Sequence, residues 1–258
     1  MKHISSRENP FFKELLRLSE SSRHRKKTGQ TLLDGVHLLQ SYLHSGGMPQ
    51  HLILTEAALQ NVEIAALLEN LPGVALTHLD NNLFAEISEL KTLTGIIALI
   101  AEPTPSVSLG QSQFCLLLED IQDPGNLGSM LRSAAAAGCD AVFLSPGCAD
   151  AWSPKVLRAG MGGHFVLSIH ESADLLEVVK TFQGQLLSTS LNAKASLYDY
   201  DLCGKLAFAF GNEGAGLSEN FLAASLQHIT IPMPGKVESL NAAAAAAVCV
   251  FEAARQRR

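Results

Sequence analysis

The chain has 258 residues, of which 47% are hydrophobic and 17% charged, with a net charge of −6; this composition excludes global disorder. No apolar run reaches the length of a membrane span, and the polar, charged N-terminus lacks the apolar core of a signal peptide, so a cytoplasmic protein is expected. Cys115, Cys139, Cys148, Cys203 and Cys249 form no CxxC pair, which predicts reduced, mostly buried thiols and no metal site.

Charge is unevenly spread. In the first 30 residues eight basic side chains face only Glu8, Glu14 and Glu20, a local patch able to attract phosphate on an acidic protein. A solvated helix face is the alternative. Asn9-Pro10 reads as a helix start, with Asn at the cap and Pro in the first turn. Phe11, Leu15 and Leu18, with Phe12 and Leu16 beside them, form its apolar face. The helix is expected to end near Ser21-Ser22, and Arg23, Arg25, Lys26 and Lys27 to follow on an exposed basic loop as candidate nucleic-acid contacts.

A strand at Thr31–Leu33, a helix from Gly35 to Leu43, a strand at His51–Leu54 and a helix within Glu56–Glu69 come next. Strands at Val74–Thr77 and Gly95–Ile100 complete an alternating α/β pattern. His37, His44, His51 and His78 have no ligand spacing and read as core or surface histidines. Residues 1–101 are taken as one domain and the proline-bearing stretch 102–112 as a linker.

Residues 113–258 open with the apolar run Phe114–Leu118, suited to a buried parallel strand. Asp123-Pro124-Gly125 is a turn signal, and Asn126 is placed to cap a helix running to Gly138. Arg132 lies one turn beyond Gly128 on the same face, so its guanidinium can reach back toward the helix start, a good place to hold phosphate. Pairing with Glu119 or Asp120 is the competing reading. Strands are expected at Ala141–Leu144, Phe165–Ile169, Gln185–Thr189 and Lys205–Phe210. Helices are expected from Ser153-Pro154 and over Ser172–Phe182.

That alternation implies a mostly parallel, twisted sheet with helices on both faces. Ligands then belong beyond its strand ends, where Thr189, Gly211 and the loop after Ile231 would gather. The Gly211, Gly214 and Gly216 spacing is not a dinucleotide fingerprint. After a short strand at Ile229–Ile231, Ser239 is placed to cap an alanine-rich final helix from about Leu240 to Arg255. The basic end, Arg255 to Arg258, suits the helix dipole and offers a further nucleic-acid contact.

Three segments together resemble the SpoU (TrmH) family of RNA ribose methyltransferases, of the SPOUT superfamily: Asp123-Pro124-Gly125-Asn126-Leu127-Gly128 through Arg132, Phe210-Gly211-Asn212-Glu213-Gly214 through Leu217-Ser218, and Ile231-Pro232-Met233 through Ser239-Leu240-Asn241. Ile4-Ser5-Ser6, Asn9-Pro10 and Lys13 resemble the substrate-binding domain often attached to that family, itself similar to small ribosomal α/β proteins. Its acidic-Gly step is Asp34-Gly35 here, where Glu is more common.

The resemblance implies a parallel sheet whose C-terminal chain is threaded into a deep trefoil knot, an S-adenosylmethionine cofactor, and a homodimer through the knotted domain. Carried over, Gly211, Ile231 and Leu240 frame the cofactor with Thr189 and Met233 nearby, and Asn126, Arg132, Glu213, Ser239 and Asn241 surround the reacting ribose. The expected reaction is 2′-hydroxyl methylation in structured RNA, ribosomal in preference to transfer RNA. A noncatalytic RNA-binding assembly factor and a base-nitrogen methyltransferase are the competing readings.

Overall fold

The computed structural model describes residues 2–90 and 92–258. They divide into two compact units, Met1–Pro103 with Trp152–Arg158, and Thr104–Ala151 with Ala159–Arg258. In the first unit the elements are β1 (Lys2–Ile4), α1 (Pro10–Glu20), α2 (Ser22–Thr28), β2 (Gln30–Asp34), α3 (Val36–His44), β3 (His51–Leu54), α4 (Val62–Glu69), β4 (Ala75–Leu79), α5 (Asn81–Ile87) and β5 (Ile96–Ala101). The five strands lie in the order β1-β4-β3-β5-β2. β1, β4 and β3 run parallel, whereas β5 is antiparallel to both β3 and β2. Phe12, Leu15 and Leu18 of α1 pack with Leu32, Ile53, Leu79 and Phe84 in one core.

The remaining elements are β6 (Phe114–Leu118), α6 (Pro124–Ala137), β7 (Ala141–Leu144), α7 (Pro154–Gly160), β8 (Ser168–His170), α8 (Leu175–Thr181), β9 (Gln185–Thr189), β10 (Ala195–Ser196), β11 (Leu206–Phe210), α9 (Glu219–Ala224), β12 (Gln227–Thr230) and α10 (Ala242–Gln256). Seven strands form a parallel sheet in the order β10-β12-β9-β11-β6-β7-β8. β6 and β11 are central and buried at every position, which is why both read as continuous apolar runs. Cys115, Leu117, Ala207 and Ala209 pack with Val178 of α8 and Phe221 of α9. Each large apolar side chain buried in this way contributes ~1.5–3 kcal/mol relative to exposure, so the paired ends of β6 and β11 are a rigid base for the loops beyond them. Cys115 and Cys249 are buried and their thiols pushed up to about 12 by desolvation.

Several local expectations are corrected. Arg23 to Lys27 form α2, not a loop: Ser21 accepts the His24 N–H at its start and Gly29 closes it in the left-handed region. The helix expected within Glu56–Glu69 is found as α4, capped by Asn61 and preceded by a 3-10 turn at Ala57–Gln60. Asp123, not Asn126, caps α6, because Pro124 fills the first turn and Asp123 accepts the Asn126 N–H. Asn241, not Ser239, caps α10. Residues 163–165 form a 3-10 turn before β8. The strand expected at Ile229–Ile231 is Gln227–Thr230.

Candidate active site

Three loops leave the carboxyl ends of adjacent strands β11, β9 and β12, where a parallel sheet presents ligands. At the end of β11, Gly211 is pressed against the backbone of Gly216 and Leu217, and a Cβ there would collide with it. Only glycine permits this approach, which folds residues 211–217 into a tight turn. On β9, the Thr189 hydroxyl donates to the Ala209 carbonyl at 2.9 Å, tying the two strand ends together. Beyond β12, Ile231, Met233, Ser239 and Leu240 complete the wall. Thr189, Gly211, Glu213, Ile231, Met233, Ser239 and Leu240 all line one cleft of about 360 Å³, closed on one side by Ala242 and Ala245 of α10. That volume suits a small-molecule site.

A chain of amides and a carboxylate runs beside the cleft. Asn241 Oδ1 accepts the N–H groups of Ala243 and Ala244 at the start of α10, which leaves its Nδ2 to donate to Asn126 Oδ1 at 2.8 Å. Asn126 Nδ2 in turn donates to Glu213 Oε1 at 3.0 Å. The helix cap therefore sets the polarity of the whole chain. Glu213 also accepts the Asp123 and Gln122 N–H groups, at 3.1 and 3.4 Å. Burial alone would raise its carboxyl, but Asn126 and the backbone donors outweigh it and hold Glu213 below its ordinary value. It is thus ionised at neutral pH, an acceptor that orients its neighbours.

Arg132 is brought to the same helix as Asn126 but not into this chain. It is exposed, and none of the described residues hydrogen-bonds or pairs with it. Glu119 and Asp120 do not pair with it: Glu119 accepts from Ser218, and Asp120 from Ser145. Gly163 packs on the α6 backbone at Leu131 and Arg132, fixing the helix from below.

In the first unit Arg23, Lys26 and Lys27 are exposed on α2, but Arg25 is not. Arg25 is 3% exposed and donates to the Leu18 carbonyl at 2.6 Å and the Ser19 carbonyl at 3.2 Å. It closes the end of α1 and is withdrawn from the candidate RNA contacts. Arg255 and Arg257 near the C-terminus are likewise engaged, and Arg258 is exposed. Arg255 pairs with Glu252, while Arg257 donates to the Leu202 and Gly204 carbonyls and stacks over Phe114. Sequence reasoning passed over Asn212, Glu119 and Ser218, which shape the turn around Gly211. An Asn two and four residues before glycines, and a Ser ahead of a short helix, were the available signals.

Comparison with known proteins places this geometry. The SpoU rRNA Methylase family matches residues 113–251, and an MRM3-like substrate binding domain matches residues 9–98. The chain is 32% identical to the 23S rRNA (guanosine(2553)-2′-O)-methyltransferase RlmP of Bacillus subtilis, over 97% of this chain and 98% of that protein. A crystal structure of an RNA 2′-O ribose methyltransferase superposes with a TM-score of 0.81 at 31% identity, covering 99% of each chain. The SpoU methyltransferase AviRb from Streptomyces viridochromogenes, in complex with the cofactor AdoMet, superposes with a TM-score of 0.85 at 25% identity, over 96% of this chain and 98% of that one.

Proposed function

The chain belongs to the SpoU rRNA methylase family, and from that membership we propose how its residues divide the work of the reaction. It is an S-adenosylmethionine-dependent methyltransferase acting on a ribose 2′-hydroxyl of ribosomal RNA. The observation that carries the residue assignment is the Asn241–Asn126–Glu213 chain lying beside a cleft walled by the turn at Gly211.

The cleft fits the cofactor. Its apolar wall of Ile231, Met233 and Leu240 and its close-packed backbone at Gly211 suit a compact, partly apolar ligand held through main-chain groups. When bound, S-adenosylmethionine supplies an electrophilic methyl group, so what is left to the protein is alignment and charge control. Gly211, Ile231 and Leu240 frame it, with Thr189 and Met233 alongside. Asn126, Ser239 and Asn241 orient the ribose, and Glu213 keeps Asn126 facing it. Held below its ordinary pKa, Glu213 is a weak base. A guanidinium offers donors and no acceptor, so Arg132 does not serve as the base either; its unspent guanidinium anchors the neighbouring RNA phosphate and offsets developing negative charge.

The finer architecture follows the same reading. Residues 1–101 form an RNA-binding domain similar to small ribosomal proteins, 102–112 a linker whose residues from Thr104 on pack with the second unit, Ser106 and Val107 donating to Ser168 Oγ, and 113–258 a knotted sheet with helices on both faces. The late insertion of β11 and β12 among earlier strands and the return of α10 to α6 support the threading. A homodimer is supported by the open apolar stripe of Ala244, Ala247, Val248 and Phe251 on α10, where Phe251 is 48% exposed. Phe251→Asp should then give monomers in light scattering. No described helix is long and apolar enough to cross a membrane, and a cytoplasmic location agrees with the substrate.

The direct test is transfer of radiolabelled methyl from S-adenosylmethionine to unmodified ribosomal RNA, with mass mapping of the product. One 2′-O-methylated nucleotide is expected. Methyl found on a base nitrogen would overturn the ribose assignment.

A further inference from the structure

The two acids that follow β6 have a use unconnected with Arg132. Glu119 accepts the backbone N–H of Ser218 on one carboxylate oxygen and the Ser218 hydroxyl on the other, each at 2.7 Å. Its own N–H continues the β6–β11 ladder by donating to the Phe210 carbonyl at 2.9 Å. One residue on, the Asp120 carbonyl accepts Asn212 Nδ2 at 2.9 Å. Asp120 is held in the left-handed region at φ 55. Its N–H donates to Ser145 Oγ at 2.9 Å and its carboxylate accepts that hydroxyl at 2.5 Å.

Asn212 also organises the turn from within. Its Oδ1 accepts the Gly214 and Ala215 N–H groups at 3.0 and 3.1 Å, and its carbonyl accepts the Gly216 N–H at 2.8 Å. The turn from Gly211 to Leu217, which forms one wall of the cleft, is therefore clipped at both ends to the end of a single buried strand. Three glycines would otherwise give this segment wide conformational freedom.

We propose that Glu119 and Asn212 are positioning residues that hold the glycine-rich turn in its cofactor-binding shape, so that they set affinity for S-adenosylmethionine and have little part in the methyl-transfer step. This rests on the assignment of the cleft to that cofactor. Charge-assisted bonds to Ser218 at one end, and an amide tie at the other, restrict the turn before the ligand arrives, and pre-organisation of this kind appears as affinity.

The experiment is calorimetric titration with S-adenosylmethionine, together with kcat and KM for cofactor and for RNA, on the full-length wild type, Asn212→Ala, Asn212→Asp, Ser218→Ala and Glu119→Gln. Asn212→Ala should raise Kd and KM for the cofactor about tenfold or more, a change of about 1.4 kcal/mol. Its kcat at saturation should fall by much less, and KM for RNA should hold. Asn212→Asp keeps the acceptors inside the turn and loses the tie to Asp120, so it should lie between wild type and Asn212→Ala. The combined effect of Glu119→Gln and Ser218→Ala should be smaller than the product of the single effects, because both cut the Glu119–Ser218 link; what Ser218→Ala still costs in the Glu119→Gln background reports the cap of α9, where Ser218 Oγ accepts the Phe221 N–H at 3.2 Å. A fall in kcat with cofactor Kd unchanged would overturn the proposal. So would equal weakening of cofactor and RNA binding together with a lowered Tm. Should Asn212→Ala fail to fold, Ser218→Ala, which leaves Asn212 and the backbone bond in place, decides by the same two numbers. A wild type that binds no cofactor would instead overturn the reading of the cleft.

Discussion

On α2, Arg25 is 3% exposed and gives its guanidinium to the Leu18 and Ser19 carbonyls, whereas on α6 Arg132 is exposed and has no partner among the described residues. Both arginines read from the sequence as phosphate ligands. Their surroundings separate them. The α1–α2 corner leaves unpaired carbonyls at a helix end, a place where a buried cation is stabilised and consumed. The start of α6 has its donors and acceptors already matched by Asp123, Glu213 and Asn126, so the arginine two turns on from Asn126 is left available. A basic residue is a candidate ligand only when the fold has not already spent it.

The largest effect should come from Arg132. Arg132→Ala should lower methyl transfer by ~10²–10³-fold, the range for removing a donor that stabilises developing charge, while calorimetry shows cofactor affinity close to wild type. Arg132→Lys should recover part of the rate, since the charge stays and the planar fork is lost. Equal loss of transfer and cofactor binding would make Arg132 a cleft residue and erase the contrast with Arg25.

Acid should damage the α6 side selectively. His164 is fully buried beside α6, donates to the Ala151 carbonyl and is lowered from 6.5 to about 4 by desolvation. The unfolded chain takes up this proton at a higher pH than the folded chain does. Stability present above pH 6.5 is therefore lost as pH falls toward 4, by roughly 3 kcal/mol. Urea unfolding across that range should show this loss, and His164→Gln should flatten it. An unchanged profile in the variant would place the acid sensitivity elsewhere.

Arg25→Ala should cost about 1–3 kcal/mol of unfolding free energy by leaving buried carbonyls without a donor. RNA affinity of the folded protein at fixed salt should not move. A loss of affinity at unchanged stability would return Arg25 to the binding surface.

What could be read in advance follows the same division. β6 and β11 were legible because burial on both faces demands unbroken apolar runs; the place of the cleft was legible through glycine and proline at strand ends, while its individual residues came from the family resemblance. The polarity of the Asn241–Asn126–Glu213 chain was not legible, because it depends on Asn241 capping α10 and so turning its amide toward Asn126 across 115 positions of sequence. α2 was missed since an all-polar segment has no apolar period to betray it; its cap, Ser21, was the overlooked signal. β1 was missed because three residues of an edge strand are too few to show alternation.

The smallest effect tests what remains of the basic patch. With Arg25 removed from it, Arg23, Lys26 and Lys27 are the exposed cations of α2. Their replacement by Glu should leave unfolding unchanged and weaken RNA binding by about tenfold at low salt. The loss should shrink as salt rises, because each phosphate contact removed flattens the log–log salt dependence by ~0.7–0.9. Binding unchanged in both affinity and slope would make α2 only a solvated face. Any RNA contact by the first unit would then rest on surfaces other than its most basic helix, and of the two arginines compared only Arg132 would remain a candidate phosphate ligand.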